Sequence, residues 1–155
     1  MGDLVPRLEG LLSPSVAGVA VLSVDVNIES VNVRLKSSAT GHSCPGCEEW
    51  STRVHSSYLR FPVDGPVGGR RVRPSLRVRR FVCRNSSSGR RTFVEHVPGS
   101  TRRHGRWTER LRAALAAVGL AMAGGAGARV AAVFGVSASR STVLRLVEEL
   151  PDPEP

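Results

Sequence analysis

Apolar and polar residues alternate with a period of two early in the chain. Leu22, Val24, Val26 and Ile28 alternate with Ser23, Asp25 and Asn27, and Val31, Val33 and Leu35 alternate with Asn32 and Arg34. This pattern predicts two half-buried strands joined in a hairpin around Asn27 to Ser30. Ahead of them, Leu4, Leu11 and Leu12 suggest a short helical turn that Pro14 stops. Further on, Val54 to Phe61 reads as a strand, FPVDGPVGG (61–69) as a Pro/Gly loop, and RVRPSLRVRRF as a basic strand marked by Val72, Leu76, Val78 and Phe81. The loop RNSSSGRR leads into a last short strand at Thr92 to Val97.

The period then changes to that of a helix. Leu111, Leu115, Val118 and Met122 recur at helical spacing within Trp107 to Met122. Gly124, Gly125 and Gly127 are expected to break this helix. A second short helix is expected over Ala128 to Phe134, and GVSAS (135–139) reads as a turn. A third helix over Arg140 to Leu150 sets Val143, Leu146, Val147 and Leu150 on one face, and Pro151, Pro153 and Pro155 end it. The fold class is α+β. The expected organisation is an N-terminal strand hairpin (1–40), a small β-rich finger-like module (41–97), a helical module (98–150) and a Pro-rich tail (151–155). Aromatic residues are only 5% of the chain, so its core must rest on Val, Leu and Ala.

Charge sharpens this picture. The net charge is +9, but residues 34–112 hold 18 basic residues against five acids, a local net of +13, whereas residues 1–33 are net −3. All the basic residues but Lys36 are Arg. A high-GC coding bias would account for Arg in place of Lys, but not for so basic a segment. A guanidinium fork grips phosphate through two hydrogen bonds, so a polyanion partner follows, with nucleic acid the commonest. No run of about 18 uninterrupted apolar residues suggests a membrane span, and no secretory signal pattern opens the chain. A cytoplasmic, nucleoid-associated protein is the expectation.

Three residue sets carry candidate chemistry. Cys44 and Cys47 form CPGC, whose tight turn can aim two thiolates at one tetrahedral zinc. Cys83 offers a third ligand. Five residues beyond it, where a C-x4-C partner would fall, stands Ser88, whose hydroxyl is a very poor zinc ligand. His42, His55 and His96 remain substitutes that no spacing selects, and a knuckle that folds without metal stays open beside zinc binding. The second set is the short helix, Gly turn and longer helix from Ala128 to Glu149. There Arg140, Ser141 and Arg145 would lie opposite Val143 and Leu146, as on a recognition helix in the major groove; the bland alternative is a three-helix core with solvated arginines. The third set is the basic strand, where Arg71, Arg73, Arg77 and Arg79 share one face and suit phosphate contacts; a solvated edge strand guarded by charge is its alternative. No catalytic set stands out.

These strings resemble a known family. CPGC, then SxRVHSSY (Ser51 to Tyr58), D-x-P-x-x-G-x-x-V (Asp64, Pro66, Gly69, Val72), LRVRRFVC (Leu76 to Cys83) and RRTFVE (Arg90 to Glu95) are similar to the N-terminal zinc-finger region of the ISL-three family of insertion-sequence transposases. Gly119 to Pro151 resembles that family's helix–turn–helix segment. The resemblance implies a protein that binds double-stranded DNA at the terminal inverted repeats of a mobile element. It also implies a fourth Cys where Ser88 stands, so the zinc site is one thiolate short. Family members continue into a catalytic domain, and the chain ends at Pro155, about where that domain would start. No catalytic residue carries over, and a truncated or decayed reading frame, not an enzyme, is the expectation. A regulator of its own element and a basic RNA-binding protein are the alternatives, and homo-oligomerisation is left open. RNA-binding sheets usually stack bases on aromatic rings, and the basic strand offers only Phe81.

Overall fold

The computed structural model describes residues 18–151. The expected turn at Leu4, Leu11 and Leu12, and the residues Pro153 and Pro155, lie outside them. The elements are β1 (Val19–Val26), β2 (Ser30–Ser37), β3 (His42–Ser43), β4 (Trp50–Ser51), β5 (Val54–Arg60), β6 (Arg71–Val82), β7 (Thr92–Val94), α1 (Glu109–Val133) and α2 (Arg140–Glu148).

The expected hairpin is formed by β1 and β2. Asn27 shapes its turn, its Oδ1 accepting from the backbone N–H of Glu29 at 3.0 Å and of Ser30 at 2.7 Å. The inward face of β1 differs from expectation. The register shifts between Val21 and Ser23, and an extra residue there flips the alternation. Val21 therefore takes the place of Leu22 beside Val24 against Val31, Val33 and Val72, and Leu22 is exposed; Val26, paired with Val31, and Ile28 in the turn are exposed as well.

Strand β6 is the centre of the sheet, whose order is β1-β2-β6-β5 with β7 also paired to β6. Its pairing with β2 is parallel, Ser30 with Arg71 through Lys36 with Arg77, so the hairpin and the basic strand belong to one sheet. Phe81 pairs with Val54 of β5 and with Phe93 of β7, so β7 takes over β6's other flank beyond the end of β2. Pro74 is tolerated in this central strand for a geometric reason. The Arg71 N–H donates to Glu29 O, so by alternation the nitrogen of Pro74 faces the β5 side. There β5 has already ended at the pair of Arg60 with Leu76, and no ladder bond is lost.

Helix α1 is one continuous element only in outline, because Ala123 has φ 62° and ψ 163° and splits it into arms 109–122 and 124–133. The break falls before the glycines rather than at them. Gly124, Gly125 and Gly127 lie inside the second arm, and the reason is packing. A Cβ on Gly119 would sit 2.5 Å from Val143 Cγ1, and one on Gly124 would sit 2.6 Å from Leu144 Cγ. The glycines let both arms approach α2 closely, around the cluster of Leu111, Leu115, Ala116, Ala131, Val136 and Leu146. Met122, expected on the inner face, is exposed beside the break. As a single run of 25 residues α1 has the length and apolarity of a membrane-crossing helix; split at Ala123, neither arm reaches the about 20 residues that a span needs.

The helices are anchored to the sheet by Asp64. Its Oδ1 accepts from Thr108 Oγ1 at 2.6 Å, and Arg110 closes an ion pair at 3.0 Å on Oδ2. Thr108 caps α1 through the same hydroxyl, which accepts from the Leu111 N–H at 3.1 Å. Ser139 caps α2 as expected, accepting from the Thr142 N–H at 3.2 Å.

Candidate metal centre and nucleic-acid interface

The three cysteines converge. CPGC forms the tight connection between β3 and β4, closed by Cys44 N–H to Glu49 O at 2.9 Å and Glu48 N–H to Cys44 O at 2.8 Å. Cys83 follows the end of β6, where its N–H donates to Arg91 O at 2.9 Å across the β6–β7 connection. Ser51 locks the two halves together, its hydroxyl donating to Val82 O at 2.6 Å. The sulfurs of Cys44, Cys47 and Cys83 all lie within 4.8 Å of one another, over a floor of Phe81 and Phe93.

The cluster suits zinc in part. The Cys47 and Cys83 sulfurs stand 3.6 Å apart, close to the about 3.8 Å edge of a tetrahedron with about 2.3 Å zinc–sulfur bonds. An N–H of Gly46 donating to the Cys44 sulfur lowers that thiol to about 7 against the opposing effect of burial, which favours the thiolate a metal needs. Burial raises the Cys83 thiol. Ser88, where the resemblance implies a fourth Cys, lies beside the cluster, with its Oγ 4.0 Å from Cys44 Sγ. Among the described residues no histidine joins the cluster. His42 is turned away, Nε2 pairing with His96 O at 2.9 Å. Cys44, Cys47 and Cys83 would hold a zinc ion, which would tie the CPGC turn to the β6–β7 connection.

On β6, Val72, Pro74, Leu76 and Val78 are buried while Arg71, Arg73 and Arg77 are exposed, so these three arginines share the outward face. Arg79 lies on that face too but is already engaged. Its guanidinium is 2.8 Å from the fully buried Glu95 carboxylate, donates to Ala39 O at 2.7 Å and lies over the Phe81 ring at 4.9 Å. These contacts hold its guanidinium within the protein, unlike those of Arg71, Arg73 and Arg77. On α2, Arg140, Ser141 and Arg145 are exposed and Val143 and Leu146 buried, the disposition expected of them.

Sequence reasoning missed two basic residues on the outward face. The β2–β6 register sets Arg34 beside Ser75 and Lys36 beside Arg77, so both join the arginines of β6. Their alternation within β2 was visible, but a parallel pairing between distant segments leaves no local mark. It also missed the ion pairs of Asp64 and Glu95, whose strings carry the resemblance but say nothing of a buried carboxylate or its arginine partner.

Residues 40–85 match a family model described as the zinc-finger of transposase IS204/IS1001/IS1096/IS1165. The match spans the CPGC turn, β5, all of β6 and Cys83. No curated protein and no solved structure matches the chain.

Proposed function

We propose that this protein binds duplex DNA as the recognition portion of an insertion-sequence transposase, with the terminal inverted repeats of its element as target. The observation that carries the reading is the coincidence of the zinc-finger match over residues 40–85 with three converging cysteines and, on β6, the strand that leads to Cys83, an outward row of arginines. In this reading residues 124–148 act as a helix–turn–helix. Gly135, at φ +73°, makes the turn, and Arg140, Ser141 and Arg145 reach base edges in the major groove. Arg71, Arg73 and Arg77 hold phosphates, which position the protein without reading sequence. This reading gives the described residues a binding role rather than a cutting one, and the pairing of Asp64 and Glu95 each with an arginine supports it. The protein then acts in the cytoplasm, on the nucleoid.

The test is a binding titration on inverted-repeat and random duplexes at several salt concentrations. If several phosphates are engaged, affinity falls by orders of magnitude between about 50 and 200 mM salt. Arg140→Ala and Arg145→Ala each cost the specific duplex about 1–3 kcal/mol and reduce discrimination, whereas Arg77→Ala weakens both duplexes alike. A flat salt response would remove the polyanion reading, and equal losses on both duplexes in all three variants would remove the division of roles.

A further inference from the structure

The outward face of the sheet is wider than the basic strand. Parallel pairing places Arg34 and Lys36 of β2 one strand spacing, about 4.8 Å, from Ser75 and Arg77 of β6. Lys36 stands directly opposite Arg77, and like charges so placed disfavour the folded sheet. Nothing described offsets this. Among the described residues none of Arg34, Lys36, Arg71, Arg73 and Arg77 has a carboxylate within ion-pair distance. The acid at a paired position of β1 on this face is Asp25, at its outer edge beside Asn32. Two of the cations are steadied by hydroxyls, Arg34 Nε donating to Ser23 Oγ at 2.7 Å and Arg77 Nη1 to Ser57 Oγ at 3.3 Å. Each keeps further N–H groups free.

The face also has a direction. Arg71, at the start of β6, has its Nε 3.9 Å from where a Cβ on Gly135 would sit. The row of cations therefore runs up to the turn that precedes α2. From Arg71 to Arg77 it extends about 20 Å at about 3.3 Å per residue, the axial length of about six base-pair steps at 3.4 Å each.

We propose that β2 and β6 together form a single phosphate-binding platform, Arg34 and Lys36 beside Arg71, Arg73 and Arg77, and that it holds the backbone of the same duplex that α2 enters. This rests on the DNA-binding reading above and adds to it the N-terminal hairpin as a DNA-contacting element. Charge complementarity selects the occupant: the outward positions of β2 from Ser30 to Lys36 and of β6 from Arg71 to Arg77 carry cations, hydroxyls and Asn32, with no aromatic ring among them on which single-stranded bases could stack.

The experiment compares the full chain with the double variant Arg34→Gln/Lys36→Gln, titrating inverted-repeat and random duplex DNA against salt, with single-stranded RNA as competitor. Circular dichroism melts check folding, and Lys36→Gln alone serves if the double variant melts early. The slope of log affinity against log salt should fall by about 1.8 for the double variant, or about 0.9 for Lys36→Gln, because each phosphate contact contributes about 0.9. The ratio of specific to random affinity should not change. An unaltered slope, with wild-type binding intact, would overturn the platform and leave the DNA-binding reading standing. Wild-type protein that fails to bind duplex at low salt would overturn both. RNA that displaces duplex DNA at lower concentration would assign the face to a different partner and overturn the platform.

Discussion

Arg77 and Arg79 stand two positions apart on one face of β6, yet substitution should destabilise the fold at Arg79 and leave it nearly unchanged at Arg77. Arg79→Ala strips the partner from a carboxylate with no exposed side-chain surface, and an uncompensated buried charge costs about 3–5 kcal/mol. Arg77→Ala removes an exposed cation facing Lys36 and should leave folding stability within about 0.5 kcal/mol. Urea unfolding of the two variants checks this, and equal midpoints would show that Glu95 does not need its partner. Ser88 supports a second expectation at this scale. Its hydroxyl lies 4.0 Å from the Cys44 sulfur, so Ser88→Cys should supply a fourth thiolate and raise zinc affinity and melting temperature together. Elemental analysis and melts with and without chelator measure both, and a variant that gains neither would place the fourth ligand elsewhere. The three sulfur ligands were legible because CPGC is a local turn motif. Glu95 was not, because its burial depends on a strand contributed from elsewhere in the chain.

Among the elements, the strands were easier to read than the helices. Alternation located β2 and β6 because one of their faces is buried, but it failed in β1, where the shift after Val21 reverses the phase. In the helical region the glycines misled for a physical reason. Glycine weakens an isolated helix, but here it is also the residue that lets one helix touch another. Gly119→Ala should cost about 1–3 kcal/mol, because the new methyl meets Val143 at 2.5 Å. Ala123→Gly should do the reverse. Its φ of 62° with ψ of 163° lies in a region that essentially only glycine occupies, and relief of that strain is worth about 1–3 kcal/mol. Thermal melts of the pair decide: a destabilised Ala123→Gly variant would mean that the break between the arms is not held in this conformation.

At the scale of the whole molecule, the α+β class and the order of elements could be read from the sequence, whereas the way they assemble could not. Nothing near Ser30 or Arg71 announces that they pair, since register between distant parallel strands is set by burial of Val31, Val33 and Val72 in one cluster. That pairing also governs how the chain reaches its fold. Ser30 and Arg71 are 41 positions apart, so during synthesis β2 emerges long before the strand it must join. Closing such a long loop is slow relative to forming the hairpin, and in the interval one edge of β2 has no neighbour. Unpaired edges invite pairing with other chains, and charged side chains are the usual guard. Arg34 and Lys36, standing on β2 without a partner strand, would keep the nascent hairpin apart from its copies until β6 arrives to cover it.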